Sequence, residues 1–233
     1  MSVLTKGISA IFFLSLCGII FFMVEPSDHL KVREVVITGN NRITSSEIIK
    51  RSGIRAGTTS MLFSTSQAKQ EILENPWAEE VRMKKLLHGR VKVEILEREP
   101  FCIVAWDGTQ PYYMDRKGNL LGEAEPSHGL DFPVISSKNE IPSGLMLQAI
   151  EILNLSKFSP ALGWAEISEI VVGESFGIRL LTLDHRLITF GKDNMKSKWR
   201  KVERMIVHSR KNNLMEKDID ISSGEVGIIS YDS

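Results

Sequence analysis

One serine in this chain of 233 residues has neighbours that could perform chemistry. The run Gly173-Glu174-Ser175-Phe176-Gly177 matches the G-x-S-x-G pattern, which in serine hydrolases places a nucleophile on a tight strand-to-helix turn. Asp184 and His185 follow in the chain order that such enzymes use. However, these two residues are adjacent to each other, and residues 178–183 have the pattern of a strand where the motif requires a helix. We therefore predict a glycine-rich turn between two strands here, and no catalytic residue.

The other reactive side chains are scattered along the sequence. No two histidines have the H-x-x-x-H spacing that places metal ligands on one helix face, and neither cysteine belongs to a C-x-x-C motif. His88 and His185 lie in predicted turns, whereas Cys102 lies in an apolar strand and is expected to be a small buried side chain. The sequence contains no Walker or G-x-G-x-x-G loop. It therefore predicts no enzyme, no metal, no cofactor and no small-molecule substrate. The five histidines are His29, His88, His128, His185 and His208.

The charge balance also narrows the possible partners. The 29 basic residues equal the 29 acidic ones, so the formal net charge is zero, which argues against a dedicated nucleic-acid binder. Residues 192–211 form a local exception with eight basic side chains. They either bind anionic lipid headgroups or an acidic partner, or form the solvated face of an amphipathic helix, and we favour the solvated face. The eight are Lys192, Lys196, Lys198, Arg200, Lys201, Arg204, Arg210 and Lys211.

An apolar run near the N-terminus predicts a membrane anchor. Residues 8–24 are uncharged, and a helix of this length reaches about 26 Å, at the short end for a transmembrane helix. A cleaved signal peptide is less consistent, because no small-x-small site follows the run. A lipoprotein signal would require a small residue in place of Leu16 before Cys17. Lys6 precedes the run, whereas Glu25 and Asp28 follow it, which favours a cytoplasmic tail of residues 1–7 and an external remainder.

Residues 29–98 predict a first domain with the element order β-α-α-β-β. A strand over 32–38 ends at Gly39-Asn40, and capping boxes at 44–47 and 64–67 begin two helices. A hairpin with one apolar and one charged face then covers residues 81–95. Two helices should pack on one side of this three-stranded sheet. The arrangement resembles a POTRA domain, through Val32-x-x-Val35-x-Ile37-x-Gly39-Asn40 and Asn75-Pro76-Trp77.

Residues 99–233 predict a second, mixed α+β domain with a largely antiparallel sheet. Helices are expected over 143–157 and 194–209, and strands over 101–106, 167–172, 178–183, 187–190, 218–221 and 226–230. A short extended segment covers 132–135. The fold class predicted for the whole chain is therefore α+β, with one N-terminal transmembrane helix, a POTRA domain and a β-rich C-terminal domain.

Taken together, these segments resemble the FtsQ/DivIB family of bacterial cell-division proteins. Five stretches carry the resemblance, and their order and spacing make it more specific than any one of them. Ser222 follows Asp220-Ile221 where many relatives have arginine, and only about seven residues precede the anchor. The stretches are Asn75-Pro76-Trp77 with Val81, Val91-x-Val93-x-Ile95-x-Glu97-Arg98-Glu99-Pro100, Tyr113-Met114-Asp115-x-x-Gly118, Ile188-x-Phe190-Gly191, and Ile219-Asp220-Ile221 before Gly224.

The resemblance implies a non-enzymatic scaffold of the divisome. Such a protein crosses the inner membrane once, gathers other membrane proteins of FtsB/FtsL type at the septum, and helps control septal peptidoglycan synthesis. The alternatives are a POTRA-bearing export or outer-membrane assembly component, and a membrane-anchored periplasmic serine hydrolase.

The last strand is the predicted partner-binding site. It is apolar, uncharged and followed by no further strand, so its free edge could pair with another chain, unless it is sealed within its own sheet. In the family, this region captures FtsB. The predicted partner-binding residues are Gly224, Val226, Gly227, Ile228, Ile229, Ser230 and Tyr231.

Overall fold

The computed structural model describes residues 12–19, 31–59, 63–125 and 131–231. Contacts between residues divide the chain into two compact units, Met1–Glu97 and Arg98–Ser233. Each unit has a hydrophobic core of its own, and the two cores share no residue.

The predicted membrane anchor is described only in part. Residues 12–19 are helical, whereas the rest of the predicted span 8–24 and the tail 1–7 lie outside the described residues. None of the helices within the described ranges is both long enough and apolar enough to cross a bilayer.

The first unit has the predicted order of elements. Strand β1 (Glu34–Thr38) is followed by helices α1 (Ser45–Ser52) and α2 (Thr65–Leu73), and then by strands β2 (Ala78–Lys85) and β3 (Arg90–Glu97). The sheet order is β1-β3-β2, in which β3 pairs in parallel with β1 and antiparallel with β2. Charged side chains alternate with buried Val81 and Met83 along β2, as its sequence pattern predicts.

Both helices of this unit begin at their predicted caps. The Thr44 hydroxyl accepts the backbone N–H of Glu47 at 3.2 Å, and the Ser64 hydroxyl accepts that of Gln67 at 3.3 Å. In a complete capping box the Glu47 carboxylate would also accept the backbone N–H of Thr44. The structure gives this carboxylate other partners. The Glu47 carboxylate accepts the Asn75 side-chain amide at 2.9 Å and also pairs with Arg51, one turn along α1. Asn75 of the Asn75-Pro76-Trp77 motif therefore ties the end of α2 to the start of α1.

A second carboxylate organises the loop before α1. Glu97, at the end of β3, accepts the consecutive backbone N–H groups of Asn41, Arg42 and Ile43 at 2.9–3.0 Å. The loop comes this close because Gly39 has a φ of 82°, and a Cβ there would lie 2.1 Å from the carbonyl oxygen of Ile95. Gly39 and Glu97, which belong to separate parts of the sequence pattern, thus both shape the loop before α1.

The second unit contains nine strands and two α-helices among its described residues. The strands are β4 (Cys102–Trp106), β5 (Tyr112–Met114), β6 (Leu120–Glu123), β7 (Val134–Ser137), β8 (Ile167–Gly173), β9 (Gly177–Thr182), β10 (Leu187–Gly191), β11 (Glu216–Asp220) and β12 (Ile228–Tyr231). Helix α3 (Ser143–Ser156) precedes β8, and helix α4 (Met195–Lys211) precedes β11.

All nine strands form one sheet in the order β12-β11-β10-β9-β8-β7-β4-β5-β6. Five of the strand pairs are antiparallel. The other three, β10/β11, β4/β7 and β7/β8, are parallel. The mixed and largely antiparallel sheet is thus as predicted.

The two helices pack on the sheet through an apolar stripe. On α4 the stripe includes Trp199, Val202 and Ile206, each no more than 2% exposed, and the Trp199 ring stacks on Phe190 of β10 with centroids 6.0 Å apart. Full burial of one such side chain stabilises the fold by roughly 1.5–3 kcal/mol. This packing fixes α4 beside β10 and β11, close to the end of the sheet where β12 lies.

Candidate partner-binding site

The G-x-S-x-G motif forms a hairpin, not a nucleophile elbow. Gly173 ends β8 and pairs with Gly177 at the start of β9, so Ser175 lies exposed in the three-residue turn between them. Asp184 and His185 follow the far end of β9, which spans about 20 Å at some 3.4 Å per residue. The predicted turn is confirmed, and Ser175 is not brought to these two residues.

The other candidate residues have structural roles. Cys102 is fully buried in β4, and burial raises the pKa of its thiol to about 12. His88 and His185 are exposed residues of turns and adopt positive φ. His29 and His128 lie outside the described residues. Among the residues that the structure describes, no group of three or more His, Cys, Asp or Glu side chains is placed to hold a metal ion.

The last strand lies at one end of the nine-stranded sheet. β12 pairs antiparallel with β11, with Ile228 opposite Asp220 and Ile229 opposite Ile219, and it comes last in the strand order. Its outer side therefore has no neighbouring strand among the described residues. Such an edge presents backbone N–H and C=O groups that another chain can pair with.

The strand begins two residues later than the sequence predicted. Val226 and Gly227 were expected to open it, but β12 starts at Ile228. Gly227 lies against α4, where a Cβ would approach the Met205 methyl group to 2.7 Å. This tertiary contact is not visible in the local sequence pattern.

Alternation along β12 separates its side chains into two sets. Ile229 packs against the core beneath the helices, and the Tyr231 hydroxyl lies 3.4 Å from that of Ser209 on α4. Ile228 and Ser230 must therefore point to the opposite face of the sheet. Ile228 is 67% exposed. Ile228 and Tyr231, which are three residues apart, therefore lie on opposite faces of the sheet.

The two ends of the sheet differ in how well they resist pairing. β6, at the opposite end, contains the charged Glu123, whereas the side chains of β12 are uncharged. Exposed apolar side chains also flank β12: Val226 before it, and Leu214 and Met215 just ahead of its partner strand β11. Sequence reasoning did not assign Leu214 and Met215 to the site, because they fall in a loop in the sequence and only the β11–β12 register brings them beside Tyr231.

The turn before β12 closes through local hydrogen bonds. The backbone N–H of Ser222 donates to Asp220 Oδ1 at 2.8 Å, and that of Gly224 donates to the Ile221 carbonyl at 3.0 Å. The Ser223 hydroxyl donates to the Val226 carbonyl at 2.9 Å. Gly224 has a φ of 78°, which favours glycine at this position.

Two lysines of the basic run join α4 to this turn. Lys198 is only 4% exposed, and its ammonium donates to the carbonyls of Phe190, Lys192 and Ser222 at 2.7, 2.6 and 3.1 Å. Burial lowers the pKa of Lys198, and the nearby Asp193 and Asp220 oppose this effect. The Lys201 ammonium donates to the carbonyl of Gly224 and, at 3.4 Å, to that of Glu225.

The interpretation of residues 192–211 as a solvated basic face is therefore wrong for Lys198. A signal was present, since Lys198 lies three residues after Met195 and four before Val202 on the buried stripe of α4. The other members, apart from the half-buried Lys201, are exposed. These exposed members are Lys192, Lys196, Arg200, Arg204, Arg210 and Lys211.

The fold defines a chain with a POTRA domain followed by a β-rich domain, whose last described strand lies at one end of its sheet. The family model described as "POTRA domain, FtsQ-type" matches residues 30–98, and that described as "Cell division protein FtsQ/DivIB, C-terminal" matches residues 104–222. The chain belongs to the FtsQ/DivIB family of cell-division proteins. The second match ends at Ser222, before β12.

Curated relatives agree with the family. The chain is 27% identical over 192 residues to Cell division protein FtsQ of Syntrophotalea carbinolica, covering 78% of this chain and 67% of that protein. It is 25% identical over 189 residues to Cell division protein FtsQ of an Anaeromyxobacter species, covering 77% and 63%. Cell division protein DivIB of Staphylococcus aureus is 28% identical over 131 residues, covering 56% and 29%. The chain thus spans about two thirds of the length of the two FtsQ relatives.

Proposed function

We propose that this protein is a non-enzymatic scaffold of the bacterial divisome that recruits membrane-anchored division proteins by strand addition at β12. Its partners are coiled-coil proteins of FtsB/FtsL type, and the assembly helps to control septal peptidoglycan synthesis. Residues 8–24 anchor the chain in the inner membrane, with the N-terminus in the cytoplasm and the bulk of the chain in the periplasm, at the division septum.

One observation carries the proposal: β12 is an uncharged strand at the end of its sheet. A partner strand laid along this edge would gain main-chain hydrogen bonds, and the side chain of Ile228 would supply an apolar contact on the open face. Membership of a cell-division family supports this use of the edge. The turn around Ser175 supports no competing catalytic role.

The membrane placement rests on the uncharged run of residues 8–24 and on the charges beside it. We expect a reporter that is active only outside the cytoplasm to be active when it is fused after Ser233. A mature chain that begins near residue 25 would contradict the anchor.

The recruiting role can be tested by placing proline at the edge. In the β11–β12 ladder the backbone N–H groups of Ile228 and Ser230 face β11, whereas those of Ile229 and Tyr231 face the open edge. Proline cannot donate a backbone hydrogen bond, so Ile229→Pro should abolish capture of the FtsB-like coiled-coil protein encoded by the same genome. Leu120→Pro makes the same change in β6, at the other end of the same sheet, and should leave capture intact. Co-purification of the partner with the full chain measures both effects, and circular dichroism checks that each variant is folded.

A third variant distinguishes the contribution of the backbone donors to capture from that of the exposed side chain. Ile228→Ala keeps the backbone donor and removes only the exposed apolar group, so we expect it to weaken capture roughly tenfold without abolishing it. Capture that is unchanged in a folded Ile229→Pro variant would exclude β12 as the recruiting edge.

A further inference from the structure

We propose that Lys198 and Lys201 are positioning residues that hold the turn of residues 222–225 and thereby place β12 for partner capture. The inference deepens the proposed function and rests on it. Both lysines belong to the basic run on α4, and neither lies in β12 itself. We call residues 222–225 the lysine-held turn.

Lys198 joins three separate segments at one point. Its three carbonyl partners belong to the end of β10, the loop before α4 and the lysine-held turn. An ammonium group has three N–H donors, so this set of partners can use all of them. The charge of the ammonium strengthens these hydrogen bonds, and because the side chain is almost fully buried they are largely shielded from water.

Lys201 holds the other end of the same turn. It lies nearly one helical turn beyond Lys198 on α4, and its ammonium contacts the carbonyls of Gly224 and Glu225. The Cε atom of Lys198 lies 3.5 Å from the position that a Gly224 Cβ would take, so the turn packs directly on the lysine stem. Both ends of the lysine-held turn are thus fixed to α4, which is itself fixed by Trp199.

The edge strand has few other attachments. It contains four residues, pairs with a single neighbour, and sends Ile229 toward the core. A short edge strand that moves freely would have to be ordered each time a partner binds, and this ordering would weaken capture. Fixing the turn immediately before the strand removes part of that cost in advance.

The test compares three lysines of one helix in the full-length protein. Lys198→Met and Lys201→Met remove the ammonium groups that hold the turn and keep most of the apolar stem. Lys196→Met removes an equal charge from an exposed position on α4 and serves as the control. Hydrogen exchange at residues 222–231, exchange in α3, and capture of the coiled-coil partner used for Ile229→Pro are measured for each.

We expect both Met variants to accelerate exchange at residues 222–231 by about tenfold or more, which corresponds to the loss of charged hydrogen bonds. Capture should weaken by a similar factor, while Lys196→Met behaves like the wild type and Lys201→Arg restores both readouts. Exchange in α3 should be unchanged in Lys201→Met, so this variant decides the question even if Lys198→Met unfolds the domain.

Two results would overturn the inference. The first is unchanged exchange at residues 222–231 in folded Lys201→Met, and the second is faster exchange with undiminished capture. If the wild type itself captures no partner, the proposed function fails, and with it the role of the lysines in capture. The exchange measurements alone then decide whether the lysines hold the turn.

Discussion

At the scale of single residues, the second unit contains a buried ion pair whose two members depend on each other. The side chains of Arg186 and Glu216 are 9% and 3% exposed, and Arg186 Nε lies 3.6 Å from Glu216 Oε2, too far for a hydrogen bond. Glu216 Oε1 has no hydrogen-bond partner, while Arg186 also pairs with Asp184 at 2.8 Å. The attraction between these charges must offset the desolvation of both groups, so each partner depends on the other.

Replacing one residue of this pair should therefore lower the free energy of unfolding more than replacing both. Arg186→Met leaves the Glu216 carboxylate buried without its counter-ion and should lower the free energy of unfolding by about 3–5 kcal/mol. In the double variant Arg186→Met/Glu216→Leu neither charge is buried, and most of that loss should be recovered. Urea unfolding of the four proteins in this cycle measures the coupling. A double variant as unstable as Arg186→Met would show that the charges are not what couples the two positions.

Asp115 is one residue through which acid should act on the second unit. Burial raises its pKa, but hydrogen bonds from Asn119, from the Lys117 backbone and from Arg98 outweigh this effect, and the pKa of Asp115 lies below its usual value. Since the pKa is depressed in the folded state, the stabilisation is complete above the unfolded-state pKa. It is lost as the pH falls through the folded-state value.

Asp115→Asn should remove this acid-dependent stabilisation. At pH 7 we expect a loss of about 1–3 kcal/mol in unfolding free energy, because hydrogen bonds to a charged acceptor are replaced by weaker ones. The difference between wild type and variant should shrink as the pH falls below about 4, where the wild-type carboxylate begins to be protonated in the unfolded chain. Urea titrations from pH 7 to pH 3 measure this convergence. A constant difference across that range would contradict the assignment.

At the scale of elements, the sequence pattern predicts features that depend on neighbouring residues and misses those that depend on contacts between distant elements. Thr44 and Ser64 begin their helices as predicted, because a cap depends on residues three positions apart. The pattern predicts that β12 starts at Val226, whereas it starts at Ile228, and the residue before it, Gly227, lies close against Met205 of α4. The helical spacing of Lys198 places it on the buried stripe of α4, but no propensity rule reports that three carbonyls converge on its ammonium. The pattern predicts the edge position of β12 but not which of its side chains face the helices.

The loop between β1 and α1 gives a prediction at the same scale. Glu97→Ala leaves the N–H groups of Asn41, Arg42 and Ile43 without their shared acceptor, so hydrogen exchange across residues 41–52 should accelerate. The charged hydrogen bonds lost are worth about 2 kcal/mol together, since water replaces them in part. Glu99→Gln, an exposed carboxylate two residues further on, should have almost no effect. If both variants exchange alike, the carboxylate of Glu97 does not order this loop.

At the scale of the whole molecule, the two units have separate cores of unequal size. The core of the first unit consists of a short set of buried residues around Ile48, Ile72 and Val93, whereas that of the second is about twice as large. Small domains bury a smaller fraction of their surface than large ones, so their stability is correspondingly lower. The first unit should therefore be the less stable of the two.

This inequality leads to a prediction for the separated fragments. A fragment of residues 29–97 should fold alone and unfold cooperatively at lower urea concentration than a fragment of residues 98–233, because it buries less apolar surface. Its urea dependence should also be shallower, since less surface becomes exposed. Trp77 is the single tryptophan of the first fragment and reports its unfolding by fluorescence, while Trp106, Trp164 and Trp199 report that of the second. A fragment 29–97 without a cooperative transition, beside a full-length chain that has one, would show that the first unit cannot fold without the second.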